Sequence, residues 1–222
     1  MGTPTPKAMK KCHCSDLVTS VHVILDRSGS MTSVREQVIG SFNEYLQSLK
    51  ADRDNSYELS MTFFDSVVQT GRAIPLAAVE PLTAKSYAPD GATALYDAVY
   101  MTLTAARSEK GNRKHLVLIF TDGYENASRE YSEHDLKKLM KQLDEEGNFT
   151  VVYLGANQDA WAEAAKWGVK SGNASVYRNT NAGMGNAMSV LASNTRAFAS
   201  SSVPSSAYFF SSKDVDSLKH TA

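Results

Sequence analysis

Residues 21–34 read VHVILDRSGSMTSV. An apolar run of strand length, Val21 to Leu25, ends on a carboxylate, Asp26, and two serines come next, Ser28 and Ser30, one residue apart. A short apolar run closed by turn residues predicts a buried strand. The DRSGS segment has two ordinary explanations: Asp, Ser and Gly punctuate turns, and Ser or Asp before a helix satisfies its first amide groups. The rest of the chain decides between these and a chemical role.

Outward from this stretch, Val34, Val38, Phe42, Tyr45, Leu46 and Leu49 recur at helical spacing, with Ser33 and Glu36 in the pattern of a capping box. Tyr57 to Phe64 and Val67 to Ile74 read as two extended segments joined tightly enough to pair as an antiparallel hairpin. A loop-like stretch, AAVEPLTAKSYAPDGAT at 77–93, delivers the chain to a helix marked by Leu95, Val99, Leu103 and Ala106 and closing near Gly111. HLVLIF at 115–120 is apolar on both faces, which predicts a central parallel strand, and it ends on TDG. A helix comes next with Leu136, Leu139, Met140 and Leu143 inward, then the strand FTVVYLG, the helix NQDAWAEAAKWG, a weak strand at ASVYRN and a helix within 181–200. Strands alternating with helices, plus one hairpin, predict an α/β fold: a doubly wound, Rossmann-like open sheet, mostly parallel with one antiparallel edge strand, helices on both faces.

The chain has 222 residues and a formal net charge of -1, with acidic and basic residues mixed along it. That is enough to bury a core without staples, and it offers no electrostatic field for a phosphate backbone or an anionic membrane. Nucleic acid and membrane are therefore not expected as partners. The N-terminal stretch has basic residues but no apolar signal core, so an intracellular, cytoplasmic protein is expected; Pro6 stands where a myristoylation pattern wants Ser or Thr. Cys12 and Cys14 flank His13, half of a zinc site at most, since no second CxxC or HxxxH supplies the other ligands. The expected organisation is a flexible leader over 1–16, one domain over 17–201, and a serine-rich surface tail over 202–222 whose aromatic trio, Tyr208, Phe209 and Phe210, either tucks onto the domain or docks a partner.

Ligands of open α/β sheets gather at the carboxyl ends of the strands, where strand order reverses. Three loops there carry short oxygen side chains: DRSGS after the first strand, DGAT before the helix at Leu95, and TDG after HLVLIF. Asp26, Ser28, Ser30, Thr93 and Asp122 are thus placed to converge. Their order and spacing resemble the metal-ion-dependent adhesion site (MIDAS) of von Willebrand factor A domains, written D-x-S-x-S, then Thr, then Asp. The likeness runs from about Val21 to about Arg178 and is nearest to compact stand-alone bacterial and phage forms. The resemblance implies a divalent cation held by these five residues and completed by a Glu or Asp from a partner protein. Hydroxyl and carboxylate oxygens suit Mg²⁺ or Mn²⁺; Ca²⁺ fits less well, because its sites usually collect more charged ligands. Asp97, on the helix after Thr93, and Asp65, at the hairpin, are not expected on the metal.

An enzyme is the rival reading, with Asp26 as a phosphoryl-accepting nucleophile beside Mg²⁺. The haloacid-dehalogenase-like pattern wants D-x-D, and Ser28 occupies the second position. RSGSM is not a G-x-S-x-G elbow, and AGMGNA around Gly183 lacks the strand and third glycine of a pyrophosphate loop. His22, His115 and His134 read as strand-edge or surface residues. A metal-dependent protein-binding module without turnover is the expectation, with an empty-site scaffold as the remaining alternative.

Overall fold

The computed structural model describes residues 17–156 and 159–220; the expected leader and its Cys12-His13-Cys14 group lie outside the described residues. Strand β1, Val18–Asp26, sits at the middle of the sheet, where both of its faces are covered. Its alternate side chains go to two separate cores. Val21, Val23 and Leu25 pack on one face, and Ile24 packs on the other.

Beyond β1 the chain winds a turn of 3₁₀ helix over Gly29–Val34 and enters α1, Arg35–Ala51, before returning in β2, Tyr57–Phe64, parallel to β1. The Ser33–Glu36 capping box is not formed: Val34 holds the cap position of α1 and no side chain caps it. Met31 and Val34 are buried; drawing both into the core winds the preceding residues into the tight turn and moves the helix start beyond Ser33.

The antiparallel edge comes in two pieces, β3 at Val68–Thr70 and β4 at Ile74–Pro75, both paired with β2. Between them the Gly71 amide donates to the Met61 carbonyl at 2.8 Å, so the ribbon turns without leaving the edge. A long loop leads to α2, Leu95–Arg107, and the chain crosses to the other side of β1 as β5, Arg113–Thr121. Then come α3 at Glu133–Glu146, β6 at Phe149–Gly155, α4 at Ala160–Lys166, β7 at Ala174–Val176 and α5 at Asn181–Ser200. The strand order is β3-β2-β1-β5-β6-β7, with β4 also on β2, and β1, β2, β5, β6 and β7 run parallel. Helices α1 and α5 cover one face; α2, α3 and α4 cover the other. The expected doubly wound sheet is therefore present.

Residues beyond 201 pack onto the domain, and two of the three tail aromatics tuck into its core. Phe209, Phe210 and Leu218 are buried in the core shared by α1 and α5, and Ser212–His220 forms a further helix, α6. Asn173 locks this segment by accepting from the Phe209 amide and donating to the Ser206 carbonyl, both at 2.8 Å. A Cβ at Gly172 would stand 2.5 Å from the Ala207 carbonyl oxygen, a contact only glycine permits. Of the trio, only Tyr208 is exposed.

Candidate metal centre

Chain order reverses direction across the sheet between β1 and β5, and the carboxyl ends of these two strands carry Asp26 and Thr121 side by side. Asp26 is fully buried. Its Oδ1 accepts from the Ser28 amide at 2.7 Å and its Oδ2 from the Thr121 hydroxyl at 2.5 Å. Burial pushes the Asp26 carboxyl above the ordinary carboxylate range; the Ser28 and Thr121 hydrogen bonds oppose the rise, and the nearby Asp122 adds to it. A carboxylate in such a place gains from a cation that supplies the charge its surroundings lack.

The other expected residues stand around it. Ser28 and Ser30 hydroxyls are 3.1 Å apart, and the Ser30 hydroxyl donates to Asp122 Oδ1 at 2.5 Å. Gly123 joins Thr93 to the group: a Cβ there would lie 3.1 Å from Thr93 Oγ1 and 3.8 Å from Asp26 Oδ2. The glycine leaves open a small cradle between these two oxygens. All five sequence-selected residues thus meet at one end of the sheet. The ordinary explanations fail for two of them, because Ser28 makes no side-chain cap to the turn after it, and α2 is capped at Ala94 without a side-chain bond from Thr93.

Several residues that sequence reasoning passed over hold these loops. Tyr87, wholly buried, donates its hydroxyl to the Asp26 carbonyl at 2.6 Å. Arg27 grips Asp65 through two nitrogens at 3.0 and 2.7 Å, so Asp65 ties the β1 loop to the edge ribbon and is not among the site oxygens. Asn126 accepts from the Thr93 amide at 2.8 Å while its own amide donates to the Thr93 carbonyl at 3.0 Å. Asp97 accepts from three successive backbone amides, Arg129, Glu130 and Tyr131, at 2.8–3.1 Å. Glu125 accepts from the amides of Tyr96, Ala127 and Ser128. The loop after Asp122 is therefore laced to the start of α2. A carboxylate on a helix gave no sequence signal for this, since its partners are main-chain groups some thirty residues away.

The donor set fits a hard divalent cation. It is all oxygen, two carboxylates with three hydroxyls, and the cradle at Gly123 lies against two of them. The sequence also matches the profile of the von Willebrand factor type A domain over residues 20–221. The chain belongs to the von Willebrand factor type A family.

The type A domain match includes the segment after 201, in accord with its packing. Among curated proteins no sequence matches the chain. Solved structures similar in fold include proximal thread matrix protein 1 from the mussel byssus, in a form with a zinc-occupied MIDAS motif (TM-score 0.58, 16% identity, covering 82% of this chain and 48% of that one). Others are the PilB minor pilin from Streptococcus sanguinis (TM-score 0.61, 10% identity, 82% and 62%) and the BatB protein from Bacteroides thetaiotaomicron (TM-score 0.55, 15% identity, 82% and 100%). At such identities the likeness is one of fold, and the chain spans about half the length of the mussel protein. Type A domains are known for metal-dependent adhesion and binding. Among the described residues no helix is long and apolar enough to cross a membrane.

Proposed function

We propose that this type A domain is a metal-dependent protein-binding module without catalytic turnover. Ser28, Ser30 and Thr93 hold a divalent cation, Mg²⁺ or Mn²⁺, with Asp26 and Asp122 acting directly or through water. The ion supplies a positive charge that its two carboxylates, one of them buried, only partly satisfy, and an acidic residue from a partner completes it. The observation that carries this reading is the gathering of the five oxygen side chains, the buried Asp26 among them, at the reversal point of the sheet. The protein's own work is positional. Thr121 and the Ser28 amide fix the Asp26 carboxylate, Asn126 fixes Thr93, and Asp97 and Glu125 fix the loop that presents Asp122.

The test is calorimetric titration with Mg²⁺ and Mn²⁺, then capture of partner from a native extract in Mg²⁺ and in EDTA. Wild type should bind one ion at this site and capture in Mg²⁺ alone, while Asp26→Ala and Thr93→Ala should lose both with an unchanged circular dichroism spectrum. A partner should lose binding when its critical Glu or Asp becomes Gln or Asn. Capture that survives EDTA and both variants would place the interface elsewhere, and metal-dependent turnover lost in Asp26→Ala would replace the reading with an enzymatic one.

A further inference from the structure

From the middle of β1 toward the amino end of β5, the same sheet holds a second group of metal-ligating side chains. The β1–β5 register sets Ser20 against His115 and His22 against Val117, so the two histidines, on one face, meet diagonally. Both are buried, against the sequence expectation of edge or surface residues. His22 Nε2 lies 3.1 Å from His115 Nδ1, and Glu109, just past the end of α2, brings Oε2 to 3.9 Å from the same nitrogen. The three ligand atoms all fall within 4.8 Å of one another. Two nitrogens on a tetrahedral zinc are about 3.3 Å apart for bonds of about 2.05 Å, so the imidazole pair already has nearly the required spacing.

We propose that His22, His115 and Glu109 form a zinc-binding site, separate from the oxygen-lined centre at the carboxyl end of β1. Three features make these side chains a built site rather than a chance meeting. First, His22 Nδ1 is 2.8 Å from the Ser60 hydroxyl, the outer hydrogen bond that orients a ligating imidazole and aims its other nitrogen at the metal. His115 is held flat by stacking on Phe149, with ring centres 4.3 Å apart. Second, the Glu109 carboxylate is held in place beside the imidazoles by Arg113, which bonds Glu58 at 2.8 Å and Glu109 at 2.9 Å. The exposed Arg72 and Lys110 stand at the rim. Third, a cleft of about 520 Å³ between the edge ribbon and the end of α2 is lined by His22, Ser60, Glu109 and Arg113, giving solvent and ion a route to the cluster. Two imidazoles and one carboxylate favour zinc over Mg²⁺, and a water from the cleft completes four-coordination.

Zinc has other potential donors on this chain, so the test is run on full-length protein carrying Asp26→Ala, Cys12→Ser and Cys14→Ser. Equilibrium dialysis against zinc, with metal counted per chain, should find one ion bound. Adding Glu109→Gln, a change at a half-buried position that leaves the core intact, should weaken binding at least tenfold. Ser60→Ala should weaken it about 10-fold or more by releasing the His22 ring. His115→Gln should abolish it, and cobalt in place of zinc should give the visible absorption of a four-coordinate nitrogen and oxygen site. Absence of zinc uptake in the background protein overturns the proposal, as does uptake that Glu109→Gln leaves unchanged. Should His115→Gln fail to fold, Glu109→Gln and the cobalt spectrum still decide.

Discussion

Replacing Asp97 tests whether the oxygen-lined centre is held from a distance. Asp97 is buried near the start of α2 and makes no hydrogen bond to any of the five site side chains; its two oxygens instead receive the amides of Arg129, Glu130 and Tyr131. Bonds to a charged acceptor contribute about 1.5–3 kcal/mol each, and an amide left without a partner costs about 1–3 kcal/mol when it stays buried. Arg129 and Glu130 are exposed, so water can replace part of what Asp97→Ala removes. A net loss of about 3 kcal/mol is expected, which for a chain of this size lowers the melting temperature by about 6–12 °C. Loosening the same loop frees Asp122, and divalent-ion affinity should fall about 10–100-fold, as for other residues that position ligands without touching metal. Thermal melts and calorimetry on the same preparations measure both. An Asp97→Ala protein with wild-type melting and wild-type ion affinity would refute the claim that this carboxylate positions the site.

The packing sets three further outcomes. In chelator, stability should fall with acid: burial, then the neighbouring His115 and Arg113, lower the His22 pKa to about 3, and burial with Arg113 lowers that of His115 to about 4. Below pH 6.5 the unfolded chain binds protons these rings refuse, so denaturant midpoints should drop between about pH 6.5 and 4, by up to about 1.4 kcal/mol per pH unit per histidine. His22→Gln should flatten that slope, with Glu58, Glu109 and Arg113 as the charged neighbours; an unchanged slope would assign the acid sensitivity elsewhere. Leu218→Ala should cost about 2–5 kcal/mol in chemical unfolding, because Leu218 is fully buried in the core shared with α1 and α5; a wild-type midpoint would return α6 to the status of a tail. Saturating Mg²⁺ at about 100 times its dissociation constant should add about 2.7 kcal/mol, a shift in melting temperature that EDTA reverses without unfolding the domain.

Much of this was legible in the sequence because the relevant signals are local. HLVLIF reads as a central strand since both faces are apolar, and D-x-S-x-S at a strand end gives three of the five site residues within five positions. The features that escaped depend on contacts distant in sequence. Phe209 and Phe210 come after a serine-rich run without periodicity, so the sequence leaves open whether they tuck onto the domain or dock a partner; the Asn173 turn and the close approach at Gly172 show how they enter the core. Ser33 and Glu36 have the spacing of a capping box, yet burial of Met31 and Val34 outweighs a cap that contributes about 1 kcal/mol. His22 and His115 are 93 residues apart in the chain; the parallel register of β1 with β5 brings them together, and no spacing rule for metal ligands spans a crossover of that length.

The same register also explains why the carboxyl end and the middle of β1 carry different chemistry. At the carboxyl end the strands stop and loops take over, so short hydroxyl and carboxylate side chains can approach one another, and main-chain amides are free to orient them, as the Ser28 amide does for Asp26. Such a set of oxygens favours a hard ion that keeps water, and the exchangeable positions on that ion are where a partner carboxylate can enter. Toward the amino end, ligands must come from within the ladder or from the end of α2, where longer side chains are needed to reach across about a strand spacing. Imidazoles projecting from β1 and β5 meet that requirement, with Ser60 on β2 and Phe149 on β6 fixing their planes from either side. Donor hardness, set by which residue types each end can accommodate, then directs the proposed Mg²⁺ or Mn²⁺ to one end and the proposed zinc to the other. Zinc in the His22 site would clamp β1 to β5, the two strands that end in Asp26 and Thr121, so its effect on the oxygen-lined centre should be read as a change in Mg²⁺ affinity between zinc-loaded wild type and Glu109→Gln. Equal Mg²⁺ affinities in the two would make the ends energetically independent.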